Sequence, residues 1–185
     1  RVLFRSMATL KTNAEAWEDL VIQPNKVIEL QNIVHRAVTN RKRYEEVSKV
    51  NKIPWYVIAA IHYREASFNF NRHLHNGDPL TKRTVQVPKG RPAVGNPPFT
   101  WEFSAIDALQ DRKITEDMSI GEILDQLEKF NGIGYRKYKK QTSPYLWSWT
   151  NQYEKGKYVK DGVFDPEFID GQCGVALIVK ELMNL

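Results

Sequence analysis

The stretch Ile58-Ala-Ala-Ile-His-Tyr-Arg-Glu-Ala-Ser-Phe-Asn-Phe70 decides how the chain reads. Ile58, Ile61, His62 and Glu65 fall at i, i+3, i+4 and i+7, the spacing that aligns side chains on one helix face. Glu65 therefore ends an apolar face just where the chain turns polar. A carboxyl at the edge of an apolar surface has a disfavoured charged form, so its pKa rises toward the range a general acid needs near neutral pH. The competing reading is a Glu paired with Arg64, Arg72 or Lys82 at a helix end. Pro54 suits the first residue of this helix, where its missing N–H costs nothing.

Beyond Glu65 the pattern gives way to Asn69, Asn71, Arg72, His73, His75, Asn76, Gly77, Asp78 and Thr81, side-chain types that grip hydroxyl and amide groups. Such a loop suits a sugar. Asn76-Gly77-Asp78-Pro79 is also turn chemistry, so Asp78 reads either as a capping or turn residue or as a second catalytic carboxylate. Leu80 to Val87 alternates partly between apolar and polar, as in a short hairpin arm. Lys89 to Pro98 is a Pro/Gly loop that would span one lip of a cleft. His73 and His75 lack regular metal spacing, so no metal is expected and His75 reads as a substrate contact.

The rest is helical in pattern. Asn25 to Val50 carries Val27, Ile28, Leu30, Ile33, Val34 and Val38 at amphipathic spacing. Thr100 reads as an N-cap before Trp101. Ser119 caps a helix through Phe130, with Glu122 completing a capping box and Asn131-Gly132 as the stop. Asp165 before Pro166 reads as the cap of a final helix extending to Leu185. Tyr135, Tyr138, Tyr145, Trp147, Trp149, Tyr153 and Tyr158 are interleaved with lysines and amides. Aromatic rings of this kind stack on pyranose faces, while Trp147 and Trp149 also read as anchors of a loop on the core.

Three places resemble the lysozyme superfamily, in particular phage-type endolysins and the goose-type lysozyme and lytic transglycosylase branch. Arg64-Glu65-Ala66-Ser67-Phe68-Asn69 resembles the segment in which that family's Glu is the general acid. Gly77-Asp78-Pro79-Leu80-Thr81 is similar to the loop in which phage-type members place an Asp and a Thr. Phe130-Asn131-Gly132-Ile133-Gly134 resembles the segment lining the transglycosylase sugar cleft. Phe130 stands where the family often has tyrosine, and the Gly-Leu-Met-Gln segment usual after the transglycosylase Glu has no counterpart.

The resemblance implies a mainly α, lysozyme-like α+β fold: a helical bundle with a small β-hairpin as one wall of a substrate cleft. It implies a peptidoglycan hydrolase that cleaves the β-1,4 bond between N-acetylmuramic acid and N-acetylglucosamine, with Glu65, Asp78 and Thr81 catalytic. His75, Asn131, Tyr135, Tyr145, Trp147, Trp149 and Tyr153 are the expected substrate contacts. No cofactor is expected. If Asp78 acts as base on the opposite sugar face, the anomeric centre inverts. If it only shapes its loop, Glu65 serves as acid and then base, and the product is an anhydro sugar. A chitinase or chitosanase of the same superfamily shares the acid, and a glycan-binding or phage structural protein keeps the fold without the chemistry.

With 185 residues the chain is long enough for one domain with its own core, expected over residues 7–185; Arg1 to Ser6 before Met7 reads as an expression remnant. The formal net charge of +5 favours acidic partners, peptidoglycan among them. No nucleic-acid motif is present, and no apolar window spans a membrane. The single Cys173 excludes an intramolecular disulfide and reads as a small buried residue. No secretory signal is recognised, so the expectation is a monomer held in the cytoplasm until release, acting on the bacterial wall as an endolysin or tail-associated lysozyme.

Overall fold

A computed structural model describes residues 10–185; the reading of residues 1–6 as a remnant, and the first residues of the expected domain, lie outside the described part. The architecture is mixed helical with one small two-stranded antiparallel sheet. No described helix is long and apolar enough to cross a membrane.

Helix α1 (Asn13–Glu18) opens on a capping box between Thr12 and Glu15. The amphipathic stretch after Asn25 divides into a 3₁₀ turn (Pro24–Lys26), α2 (Val27–Thr39) and α3 (Arg41–Asn51), broken at Asn40. The break lets Leu30, Ile33 and Ala37 of α2 face one part of the core while Tyr44 and Val47 of α3 face another.

Helix α4 (Trp55–Ala66) starts one residue after Pro54, which caps it. It packs against α2, α3 and the C-terminal helix, so its whole middle, Val57 through His62, is fully buried. Burying each isoleucine contributes about 1.5–3 kcal/mol, which makes α4 the most firmly held element near the site. Ser67 and Phe68 then both take left-handed backbone conformations, with φ of 49° and 59°. A side chain there costs about 1–2 kcal/mol. Burial of the Phe68 ring beneath the Arg36 guanidinium, and the Arg36 bond to the Ser67 carbonyl, offset it.

Thr100 caps α5 (Trp101–Leu109), and Ser119 with Glu122 forms the capping box of α6 (Ile120–Asn131). A π-type turn (Tyr135–Lys139) and the short α7 (Pro144–Trp147) follow.

Two expectations fail. Residues 80–87 form no hairpin; only an isolated bridge joins Arg72 to Pro79. The stretch is tied down locally instead: Asp78 Oδ2 accepts from the Val85 and Gln86 backbone, and Thr84 donates its N–H to the Arg91 carbonyl while its Oγ1 accepts from the Arg91 N–H. The final helix does not begin at Asp165 either. Residues 157–165 make the sheet, β1 (Lys157–Lys160) and β2 (Val163–Asp165), turning at Asp161-Gly162 with Gly162 at φ 70°. Helix α8 spans Val175–Leu182. The chain between them is fixed by a buried ion pair of Arg64 with Asp170, and Gly174 meets α7 so closely that a Cβ would lie 2.2 Å from the Leu146 carbonyl oxygen.

A buried polar hub joins distant parts. Asn13 Nδ2 donates to Asp125 and Glu128 at 2.8 Å, and Asn13 Oδ1 accepts from Arg136 and from the Trp147 indole. Arg136 completes it by donating to Glu128 at 2.9 Å.

Candidate active site

Glu65 occupies the last turn of α4, where the helix emerges from the core. Its side chain is open to solvent on one side. Protein mass surrounds it on the others, and this desolvation is the largest influence on its carboxyl, raising the pKa; Arg64, the Tyr145 hydroxyl and Arg112 act in the opposite sense. The Glu65 carboxyl is thus reachable from solvent yet poorly solvated; it lines neither of the two hollows beside it, and its neighbours Arg64 and Tyr145 border the larger one.

The ion-pair reading named Arg64, Arg72 and Lys82. Arg64 bonds Asp170 and the carbonyls of Gln172 and Cys173. Arg72 donates to the Gly77 carbonyl at 2.7 Å, and Lys82 bears on Asp78. Among the described residues Glu65 makes no ion pair.

Beside Glu65 lies Tyr145, fully enclosed, with its ring stacked near Phe130 at 6.2 Å between centroids. Burial holds the phenol far above its ordinary pKa, and the nearby Glu65 charge adds to this. The hydroxyl and carboxyl interact, but not in good hydrogen-bond geometry, so the hydroxyl has no satisfied partner.

Tyr145 also forms part of a groove of about 540 Å³. One wall comes from the end of α6 and the π-type turn, with Asn131, Tyr135 and Tyr138. The other is the β1–β2 hairpin, with Tyr158, Lys160 and Asp161. Tyr135 accepts a bond from the Tyr158 backbone, and their rings meet edge to face at 5.1 Å, fastening the walls together. A hairpin therefore does wall the groove, but it is not the one expected over residues 80–87.

A smaller hollow of about 180 Å³ is bounded by Ile61, Arg112, Lys113, Gln126, Lys129 and Phe130, and its Arg112 bears on the Glu65 carboxyl. The Arg112 guanidinium lies over the Phe130 ring at 4.0 Å. Asp111 also borders it.

Of the residues singled out from the sequence, the structure gathers Glu65, Tyr145, Asn131 and Tyr135. Asp78 is committed to its loop: backbone bonds from Gln86 and Val85 hold its carboxyl below the ordinary carboxylate range, and neither it nor Glu65 perturbs the other. Thr81 is exposed on a separate hollow with Phe70 and Phe99. The His75 side chain is buried against Asp107, its Nε2 donating to the carboxylate at 2.7 Å, and burial lowers its pKa.

Trp147 is core and bonds Asn13. Trp149 donates to the Gly171 carbonyl, and Tyr153 joins Gly156, Phe168 and Asp170. None of these three borders the groove.

Tyr158, Lys160 and Arg112 were not singled out as site residues. Asp161-Gly162 is a hairpin signal that would have placed the first two; nothing in the local sequence marks Arg112. Among the described residues no cluster of three metal-ligating side chains occurs. No protein-family model, curated protein or solved structure matches the chain.

Proposed function

We propose that the protein is a glycosidase of peptidoglycan, cleaving the β-1,4 bond between N-acetylmuramic acid and N-acetylglucosamine with Glu65 as general acid. The observation that carries this reading is Glu65 itself: a carboxyl with no ion-pair partner among the described residues, its proton retained by desolvation, opening beside an aromatic and amide-lined groove. Asn131 offers donor and acceptor to an acetamido group, and Tyr138 and Tyr158 offer faces and hydroxyls to sugars.

The commitment of Asp78 to Val85 and Gln86 favours the route without a second carboxylate. Glu65 gives its proton to the glycosidic oxygen as the bond to C1 breaks, and the N-acetylglucosamine hydroxyl leaves. The Glu65 carboxylate then takes the proton of the muramoyl C6 hydroxyl, whose oxygen bonds to C1. No water is consumed and Glu65 returns protonated. Proton transfer supplies on the order of 10²–10⁴ in rate, and the groove must supply positioning.

The commitment of Asp78 to its loop equally favours a glycan-binding protein without turnover. Mass spectrometry of soluble fragments from purified peptidoglycan, after incubation with the wild type and with Glu65→Gln, separates the two. Anhydro-ended muropeptides from the wild type alone are expected. Reducing ends would replace the anhydro route with hydrolysis, and no fragments from either protein would leave only binding. Action on the bacterial wall, as an endolysin or tail-associated enzyme, belongs to the same proposal.

A further inference from the structure

Arg112 poses a question that the proposed acid chemistry leaves open. An arginine close to a general acid stabilises the carboxylate and so works against the acid being protonated near neutral pH. Its guanidinium makes no ion pair or side-chain hydrogen bond among the described residues, although it is held in place over Phe130. Burial of part of the side chain disfavours its charge, and the compensating influences are Tyr145, Glu65 and Asp111. Lys113 and Lys129 are exposed on the same small hollow, so three cations face one carboxylate, Asp111. A planar guanidinium fork with its donors unused matches a carboxylate bidentately.

We infer that the hollow bounded by Arg112, Lys113 and Lys129 is a subsite for a carboxylate-bearing substituent on the sugar next to the bond that Glu65 attacks. This rests on the reading of Glu65 as a glycosidase acid. The hollow adjoins both Glu65 and the aromatic groove: Arg112 on its rim bears on the Glu65 carboxyl, and its guanidinium covers Phe130, whose ring stacks near Tyr145 of the groove. A glycan passing Glu65 thus lays one sugar against tyrosines and the next against cations.

The consequence is a coupling between substrate choice and acid strength. In the free protein, Arg64, Arg112 and Tyr145 favour the Glu65 carboxylate against desolvation. When a substrate carboxylate occupies the Arg112 fork, its charge offsets the guanidinium, and Glu65 keeps its proton to higher pH. A neutral glycan leaves the guanidinium uncompensated. The proper substrate keeps protonated the acid that cleaves it.

The test uses three chitin oligosaccharides of equal length: unmodified, carboxymethylated and phosphorylated. Binding is measured first on Glu65→Gln, which removes turnover from the readout. The carboxymethyl form is expected to bind about ten- to a hundredfold more tightly than the neutral form, and Arg112→Gln in the same background to abolish that preference, while neutral binding is unchanged. Lys129→Gln, at the same hollow, should weaken the preference in the same direction.

The alkaline limb of the wild-type pH–rate profile should lie at higher pH with the carboxymethyl substrate than with the neutral one, and the two should coincide in Arg112→Gln. Equal binding of neutral and carboxymethyl forms overturns the subsite. Tighter binding of the phosphorylated form overturns the carboxylate assignment, and an equal loss on all three substrates reduces Arg112 to a structural support. An Arg112-dependent preference in a protein that cuts no glycan leaves the subsite standing and removes only the glycosidase reading.

Discussion

The Tyr145 hydroxyl faces the Glu65 carboxyl and satisfies no other hydrogen bond. The interaction favours ionised Glu65 and keeps the phenol protonated. A buried hydroxyl without a good partner costs about 1–3 kcal/mol, so Tyr145 is placed here at the expense of stability. Tyr145→Phe is expected to leave thermal stability equal or improved and to move the alkaline limb of activity to higher pH, because one influence lowering the Glu65 pKa is gone. Calorimetry and a pH–rate profile check the two halves separately; a fall in melting temperature would show that the hydroxyl bonds something in solution.

Glu65→Gln should cut glycan cleavage by about 10²–10⁴ and leave the fold intact. The folded pKa of Glu65 lies above its ordinary value, so the native state holds this proton where the unfolded chain has released it. Stability from Glu65 is therefore complete at acid pH and declines as pH rises from 4.5 through the folded pKa. Glutamine has no such decline. The variant should melt above the wild type at pH 7 and level with it near pH 4, measured by scanning calorimetry.

Asp78→Asn should keep cleavage within about tenfold of the wild type, since the amide still offers an oxygen to the Val85 and Gln86 backbone. A general base would instead lose on the order of 10²–10⁴. The folded pKa of Asp78 is depressed, so its clamp on the loop is present above 3.8 and lost as pH falls through the lower folded value. Hydrogen exchange at Val85 and Gln86 should report that loss in the wild type.

His62 is fully buried within an aromatic cluster of Tyr44, Phe70 and Trp101, and desolvation pushes its pKa down from 6.5 to about 4. Below pH 6.5 the unfolded chain takes up a proton that the native state refuses. The stability that His62 contributes is whole above 6.5 and is lost as pH falls toward 4, by about 3 kcal/mol. Denaturant melts of wild type and His62→Gln across this interval should differ in slope by close to one proton. Parallel curves would sink the assignment.

Local signals marked the helices that have clear ends. Thr100 and Ser119 cap where their sequences say, and Pro54 opens the helix that carries Glu65. Residues 163–174 misled because Asp165-Pro166 imitates a helix start, while the competing Asp161-Gly162 turn and the long-range Arg64–Asp170 pair decide the outcome. Alternation over 80–87 misled because the Asp78 side chain takes the Val85 and Gln86 donors a strand partner would need, and the Thr84 N–H turns to the Arg91 carbonyl. In the aromatic segment, composition cannot distinguish Tyr135 and Tyr145 in the groove from Trp147 in the core; that assignment depends on Asn13, far away in the chain.

The Asn13 hub has a consequence for dissection of the molecule. One amide, near the beginning of the described chain, is shared by Asp125 and Glu128 of α6, by Arg136 beside the groove wall and by Trp147 behind Tyr145. A fragment trimmed to residues 45–160, the span holding the three lysozyme-like stretches, would leave Glu128 and Arg136 without their common partner and strip α4 of α2 and α8. The smallest excisable unit bearing this groove is therefore nearly the whole described chain, and a shortened version should lose surface loops rather than its ends.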